Sequence, residues 1–327
     1  MTYAHLTEEC RCQIYALRLE GKTQDSIATH LGVAASTISR EIKRNSGGKG
    51  YRYKQANQKA MERRHNASSS SKKMTPQMVA LVEDKLLEQW SPVQISGVLA
   101  ANDIMVSHET IYKHVRNDKK NGGKLYMNLR RRGKKYNHKS VKTAGRGCIP
   151  GRVDIKDRPK SIESKERLGD WEGDTIIGAK QQGVILSHVD RKSKFTLLDK
   201  MDGKHAEQVP ELVAKSLERL PVKIKGGSIT YDNGKEFSKH QLITELTGLP
   251  CFFARPYRSC DRGLNEHTNG LVRQYFPKGT NLNDCSIEEI RIVENKLNNR
   301  PRKVLNFRTP REVLTGVKKP QKIALQS

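Results

Sequence analysis

The sequence predicts a multidomain chain, with N-terminal all-α helix-turn-helix units and an α/β core on a mixed sheet behind them. Three observations predict this. The chain has 327 residues, and single cores stop growing at roughly 250–300. A short helix, a Gly turn and a second helix follow one another near the N-terminus, and a weaker copy recurs farther on. From about Gly169, helical spacing gives way to short strand-like runs bounded by turn residues.

Lys plus Arg number 61 and Asp plus Glu 35, a formal charge of +26. That excess points to a polyanion, most often nucleic acid. The acids are enriched in the second half. No run of about 18 apolar residues exists, so no membrane helix is expected. The N-terminus lacks a charged-then-apolar leader. The six cysteines show no CxxC pairing, which argues against a zinc knuckle and fits reduced thiols in a cytoplasm. A cytoplasmic, nucleoid-associated protein without a membrane partner is expected.

Thr7 caps a first helix to about Glu20, with Cys10, Ile14, Ala16 and Leu17 as its apolar stripe. Thr23 caps a second helix through Leu31. Gly32 turns the chain into a third, from about Ala35 to Arg44, with Ile38 and Ile42 inward. Ser36, Thr37, Arg40, Lys43 and Arg44 are left outward, residue types that suit base edges and phosphates. Residues 49–73 read as a polar linker, with helix only near Ala56 to Arg64.

Thr75-Pro76 and Ser91-Pro92 then open two helices, and Ser107 caps a third. Ile95, Val98, Leu99, Ile111 and Val115 face inward; His108, Tyr112 and Lys113 face outward as candidate DNA contacts. Residues 119–165 read as a basic connector. Its cluster Arg130, Arg131, Arg132 would neutralise phosphates without choosing sequence.

Three strand-like runs follow: Trp171 to Ile177, Val184 to Val189 and Lys194 to Leu198. Asp190 sits in a hairpin turn and reads as structural. A helix from Ala206 to Leu220, a strand at Ser228 to Tyr231, a helix at Lys239 to Thr247 and a strand at Cys251 to Ala254 come next. Helices at Asn265 to Tyr275 and Ile287 to Asn298 complete the series. This βββ-α-β-α-β-α order is the ribonuclease-H-like arrangement.

Three acids stand out in it. Asp174 lies on the first strand, Asp232 ends the fourth and Glu266 starts a helix. Two-metal phosphoryl transfer needs convergent carboxylates, because hard oxygen ligands hold two ions about 3.5–4 Å apart. Parity alone leaves Asp170, Glu172 and Asp174 open as the first member, since all three share a face. The apolar run after Asp174 favours it. Asn265, Asn269 and Arg273 share a helix with Glu266, and Asn269 and Arg273 can flank a DNA backbone. Lys235 and Lys278 could contact phosphates. His267 points away and takes no catalytic role.

Several stretches resemble bacterial insertion-sequence transposases of the IS-thirty family, within the DDE transposase and retroviral-integrase superfamily. They are Ser36 to Ile42, Trp90 to Ile95, Val106 to Tyr112, Trp171 to Asp174, Asp232 to Glu236 and Asn265 to Gly279. The resemblance covers nearly the whole chain. It implies that Asp174, Asp232 and Glu266 are the catalytic, metal-binding triad, with two Mg²⁺ ions that Mn²⁺ can replace. It implies double-stranded DNA partners, the terminal inverted repeats and a target, and a homo-dimer or larger synaptic oligomer. A regulator with an inactive core and a nuclease without strand transfer are the rival readings. The chain departs from the family at Ala34-Ala35, where Ser-Pro is common, weakening a helix cap by ~1 kcal/mol. It departs also at Cys260-Asp261 (often Trp-Gln) and at Asp170 (often His).

The expected domains are 1–48, a helix-turn-helix domain; 49–73, a linker; 74–118, a second helix-turn-helix domain; and 119–165, the connector. Residues 166–318 are the core and 319–327 a tail.

Overall fold

The computed structural model describes residues 5–70, 74–130, 132, 149–255 and 263–317. They fall in two compact units, Met1–Thr75 and Pro76–Ser327.

The first unit holds α1 (Glu8–Leu19), α2 (Gln24–Leu31), α3 (Ala35–Asn45) and α4 (Tyr53–Ser70). Thr7 caps α1 by accepting from the Cys10 amide, and Thr23 caps α2 from Ser26. Gly32 takes the left-handed conformation that ends α2. Ala34 gives α3 no side-chain cap, as its sequence requires. Ile14, Ile27, Ala28 and Ile38 form the core with Tyr51 and Ala56.

Those last two residues correct the linker expectation. Residues 53–70 are a fourth helix against α1, and Ala56 is fully buried. The helix expected near Ala56 to Arg64 is present and longer at both ends; polar composition hid its extent, since among its described side chains one small residue is deeply buried. The α1 stripe also differs. Ala16 is exposed and Cys10 only half-buried, while Arg11 is buried. Arg11 Nε meets Glu41 Oε1 at 2.8 Å, Tyr51 donates to the same oxygen at 3.3 Å, and a second Arg11 nitrogen reaches Asn57 at 3.1 Å. A polar network thus sits where apolar packing was expected.

The second unit opens with α5 (Pro76–Leu87), α6 (Pro92–Ala100) and α7 (His108–Lys120). Ser91 and Gln94 form a reciprocal capping box, with Pro92 in the first turn of α6. Ile95, Val98, Leu99, Ile111 and Val115 are buried, as the pattern predicts, and Met78, Val82 and Leu86 on α5 are buried with them. This segment lies in the same compact unit as the core. Gln94 Nε2 donates to the Pro301 carbonyl at 2.7 Å, and the Phe307 ring occupies the space a Cβ on Gly97 would need.

The sheet runs in the order β3-β2-β1-β4-β5. The strands are β1 (Asp170–Ile177), β2 (Val184–Asp190), β3 (Thr196–Met201), β4 (Ser228–Tyr231) and β5 (Cys251–Phe253). β1, β2 and β3 are antiparallel, and β4 and β5 run parallel to β1. This is the ribonuclease-H-like topology predicted from element order. The helices are α8 (Lys160–Glu163), α9 (Val209–Glu218), α10 (His240–Thr247), α11 (Gly263–Tyr275), α12 (Ile287–Asn298) and α13 (Pro310–Thr315). Period-two alternation splits the strands between two cores. Trp171, Leu186, Ile229 and Tyr231 pack with α9 and α10. Ile176, Ile185 and Leu198 pack with α11 and α12.

Asp190 is the buried staple of the β2–β3 turn. Its carboxylate accepts from Ser193 N and Oγ at 2.6 Å and from Gly169 N at 2.8 Å. Gly173 lies under the Tyr231 ring and beside His188. A methyl group there overlaps the ring, so Gly173→Ala should cost about 1–3 kcal/mol, read by chemical denaturation.

His188 is buried and 2.9 Å from the Tyr231 hydroxyl. Burial holds its pKa down at about 4, from 6.5. The unfolded chain therefore binds a proton first. Stability contributed by neutral His188 is complete above pH 6.5 and is lost between there and about 4, at about 1.4 kcal/mol per pH unit. His188→Asn should flatten that part of a stability-versus-pH curve.

Candidate active site

β1 and β4 are parallel neighbours, with Asp170 opposite Ser228 and Glu172 opposite Thr230. Continued two residues, this register sets Asp174 opposite Asp232, just past the end of β4. Equal parity puts both on one face, on strands about 4.8 Å apart. Both are half-exposed. The sheet brings these two acids side by side although many residues separate them in sequence.

Side-chain engagement separates the three β1 acids. Asp170 is buried, ion-paired to Arg167 at 2.8 Å and accepting from Ser228 Oγ at 2.7 Å. Glu172 is 2% exposed, 3.2 Å from Arg191 Nε. Asp174, just beyond the stretch of β1 paired with β4, accepts from the Thr175 amide at 2.9 Å and from Asn269 Nδ2 at 2.8 Å. Asp232 accepts from the Gly234 amide at 2.9 Å, which tightens the loop after β4.

α11 lies along this face. The Asn265 amide donates to Glu172, Asn269 bridges Asp174 and Ser187, and Arg273 donates to the Ile177 carbonyl. Asn269 and Arg273, expected at the DNA backbone, are thus engaged with the sheet in this structure. Glu266 is in the first turn of α11 and exposed, about 60° around the axis from Asn269. The structure pairs Asp174 with Asp232 and does not close Glu266 onto them. Among the described residues, no group of three or more Asp, Glu, His or Cys side chains stands at ion-holding spacing.

Sequence reading gave Glu236 no role, although Asp232-Asn233-Gly234-Lys235-Glu236 was already a notable stretch. Glu236 is buried beside Asp232, and both carboxylates occupy the space a Cβ on Gly234 would need. It accepts from Thr175 Oγ1 at 2.8 Å and Lys204 Nζ at 3.1 Å. Burial alone would raise its pKa, but its own amide, Thr175 and Lys204 together bring it below the ordinary glutamate value. It therefore stays ionised next to Asp232 and ties the two loops together. A second unforeseen feature is a basic cavity near the start of β1, lined by Arg158, Lys160, Lys165, Arg191 and Glu163 among others.

The first unit presents the expected outward set: Ser36, Arg40, Lys43 and Arg44 exposed and Thr37 half-exposed on α3. Residues 2–45 match the family described as "Helix-turn-helix domain", HTH_38. On α7, His108 and Lys113 are exposed and Tyr112 half-exposed. Arg130 and Arg132 are exposed. Arg131 lies outside the described residues, as do Cys148 and Cys260-Asp261.

Over 325 residues the chain is 42% identical to the transposase for insertion sequence element IS4351 of Bacteroides fragilis, covering 99% of each. The chain belongs to the IS30 (IS-thirty) family of insertion-sequence transposases. It is 35% identical to transposase InsI for element IS30A of Escherichia coli (strain K12), over 95% of this chain and 83% of that one. It is also 35% identical to the transposase for element IS1086 of Cupriavidus metallidurans, over 96% and 95%. The solved catalytic core domain of BIV integrase is similar over 45% of this chain and 93% of that one, at 19% identity and a TM-score of 0.35. No helix among the described residues of this IS30-family chain is long and apolar enough to cross a membrane.

Proposed function

We propose that this chain binds the terminal inverted repeats of its insertion sequence and cuts and joins DNA strands at the face carrying Asp174, Asp232 and Glu266. The register that puts Asp174 beside Asp232 carries this reading. The donor set supports a hard divalent ion, since both are half-exposed carboxylates. Two ions, Mg²⁺ or Mn²⁺ in its place, held by Asp174, Asp232 and Glu266, would activate the attacking oxygen and stabilise the leaving one.

The chain's own groups supply position. Asn269 and the Thr175 amide fix the Asp174 carboxylate, and the Gly234 amide fixes that of Asp232. α3 and α7 present their polar faces to the element end, with the Arg130–Arg132 cluster on phosphates. Water attacks the phosphodiester at that end, and the P–O bond to the 3′ oxygen breaks to free a 3′-hydroxyl. That hydroxyl then attacks a target phosphodiester, displacing one 3′ oxygen for another. Two ends must be joined together, so a dimer or larger assembly forms on DNA.

A footprint on the ends flanking the gene gives the substrate. Incubation with Mg²⁺ and a target plasmid should yield nicked ends and joined product. Binding without nicking would leave a regulator, and nicking without joining a nuclease. Mass photometry with end DNA should show dimers or larger, and monomers alone would contradict the assembly.

A further inference from the structure

The first unit carries a concave surface outside its helix-turn-helix. Past α3 the chain turns tightly at Gly47–Gly50, where each of these two glycines donates its amide to the other's carbonyl at 3.0 Å. Gly50 takes the left-handed conformation, and the Gln55 side chain fills the space a Cβ on Gly47 would need. The turn is thereby held against the start of α4. Beside it opens a cleft of ≈ 640 Å³, lined by Tyr15 of α1 and by Lys49, Arg52, Tyr53 and Lys54 among others.

The charge of this cleft is one-sided. Three cations line it and, among the described residues, no acid does. Lys49, Arg52 and Lys54 are exposed, and no carboxylate of the described residues pairs with them. Cations that serve the fold of this unit are tied down instead: Arg11 to Glu41, Lys59 to the Ser46 carbonyl and Arg63 to Asn45 Oδ1. α4 begins in the cleft wall with no acid in its first turn, so its helix dipole adds to the same sign. A concavity lined by one sign of charge focuses field lines and draws in the opposite ion. Tyr15 and Tyr53, half-buried with ring centroids 6.0 Å apart, give the cleft an aromatic wall and two hydroxyl groups. Lys, Arg and Tyr all hold DNA phosphates. The turn also follows directly on the C-terminal end of α3, beyond the exposed Lys43 and Arg44.

We infer that this cleft is a second DNA-contact site of the first unit, taking the duplex sugar-phosphate backbone beside the groove that α3 reads. The inference rests on the proposal that the chain binds DNA, and it goes beyond it. The outward set of α3 ends at Arg44 and the matched helix-turn-helix family at residue 45. The 48–54 stretch, which opens what sequence analysis took for a linker, thereby gains a binding role.

The test reads affinity of the full chain for two fluorescent duplexes, an element end and a scrambled sequence, across salt concentrations. Each phosphate contact contributes about 0.9 to the slope of log K against log salt, so removing Lys49, Arg52 and Lys54 together, each to Gln, should lower the slope by about two to three. The loss should be equal on both duplexes, because phosphate contacts carry no sequence. The melting curve should stay close to wild type, since all three side chains are exposed. Phosphate-ethylation interference gives the position: the triple variant should lose interference at a few phosphates flanking the α3 contacts and keep it elsewhere. An unchanged slope overturns the site. So does a lower slope with the interference pattern intact, which would be bulk charge alone, or a changed affinity ratio between the two duplexes, which would put these residues on bases. A loss confined to single-stranded oligonucleotide would give the cleft to an unpaired strand and overturn the duplex assignment. A wild type that binds neither duplex sinks the underlying reading; a wild type that binds, with the triple variant alike, sinks this inference alone.

Discussion

Asp174→Asn should abolish Mg²⁺-dependent nicking, by about a thousandfold or more, while leaving DNA affinity and thermal stability close to wild type. A factor of 10³ is about 4 kcal/mol of transition-state stabilisation, the size expected if, as proposed, this carboxylate would help to hold the divalent ions. The side chain is isosteric. It still accepts from the Thr175 amide and still lies against Asn269, so the fold has no reason to fail. The paired control is Glu172→Gln, one pleat away on the same face. That carboxylate is buried against Arg191, and neutralising it leaves a buried guanidinium short of charge. It should lower the melting temperature, a loss Asp174→Asn should not show. The two variants separate acid used for chemistry from acid used for folding, which composition and parity cannot do. Wild-type nicking by Asp174→Asn would remove the proposed mechanism.

The second large effect is in the first unit. Glu41→Ala should destabilise it by about 3–5 kcal/mol, because it strands Arg11 as a buried unpaired charge. For a domain of this size that is a fall in melting temperature of more than about 10 °C. The Tyr51 hydroxyl loses its acceptor as well. Sequence-specific DNA binding should fall with the fold, since Glu41 lies on α3 among Arg40, Lys43 and Arg44. The direction is informative. Removing an acid makes a protein of charge +26 more basic, so electrostatics alone would tighten DNA binding. Tighter binding with an unchanged melting curve would show the network to be dispensable. Arg11→Met with Glu41→Leu should restore much of the lost stability, because the desolvation cost disappears with both charges.

Much of this architecture was legible along the chain. Thr7, Thr23, Ser91 and Ser107 cap where expected, because a cap is a local contact between a side chain and an amide three residues on. Strand order followed from alternation and turn residues. Only the middle of α4, near Ala56 to Arg64, was legible, because among its described side chains one small residue, Ala56, is deeply buried and carries no periodic signal. Arg11 and Glu41 were not legible either. Charged residues on helices usually face water, and only contact across 30 positions marks them as core.

By itself the sequence determined the helical front, the strand order behind it and the acids available for chemistry, since these depend on spacing and residue type within short windows. The sequence already favoured Asp174; the tertiary structure added that Asp170 and Glu172 are buried against Arg167 and Arg191, while the register sets Asp174 opposite Asp232. The tertiary structure alone paired Arg11 with Glu41 across the first unit. Both outcomes depend on partners distant in the chain, and burial, which sets whether a charge is spent on folding or left for a ligand, is a property of those partners rather than of the residue.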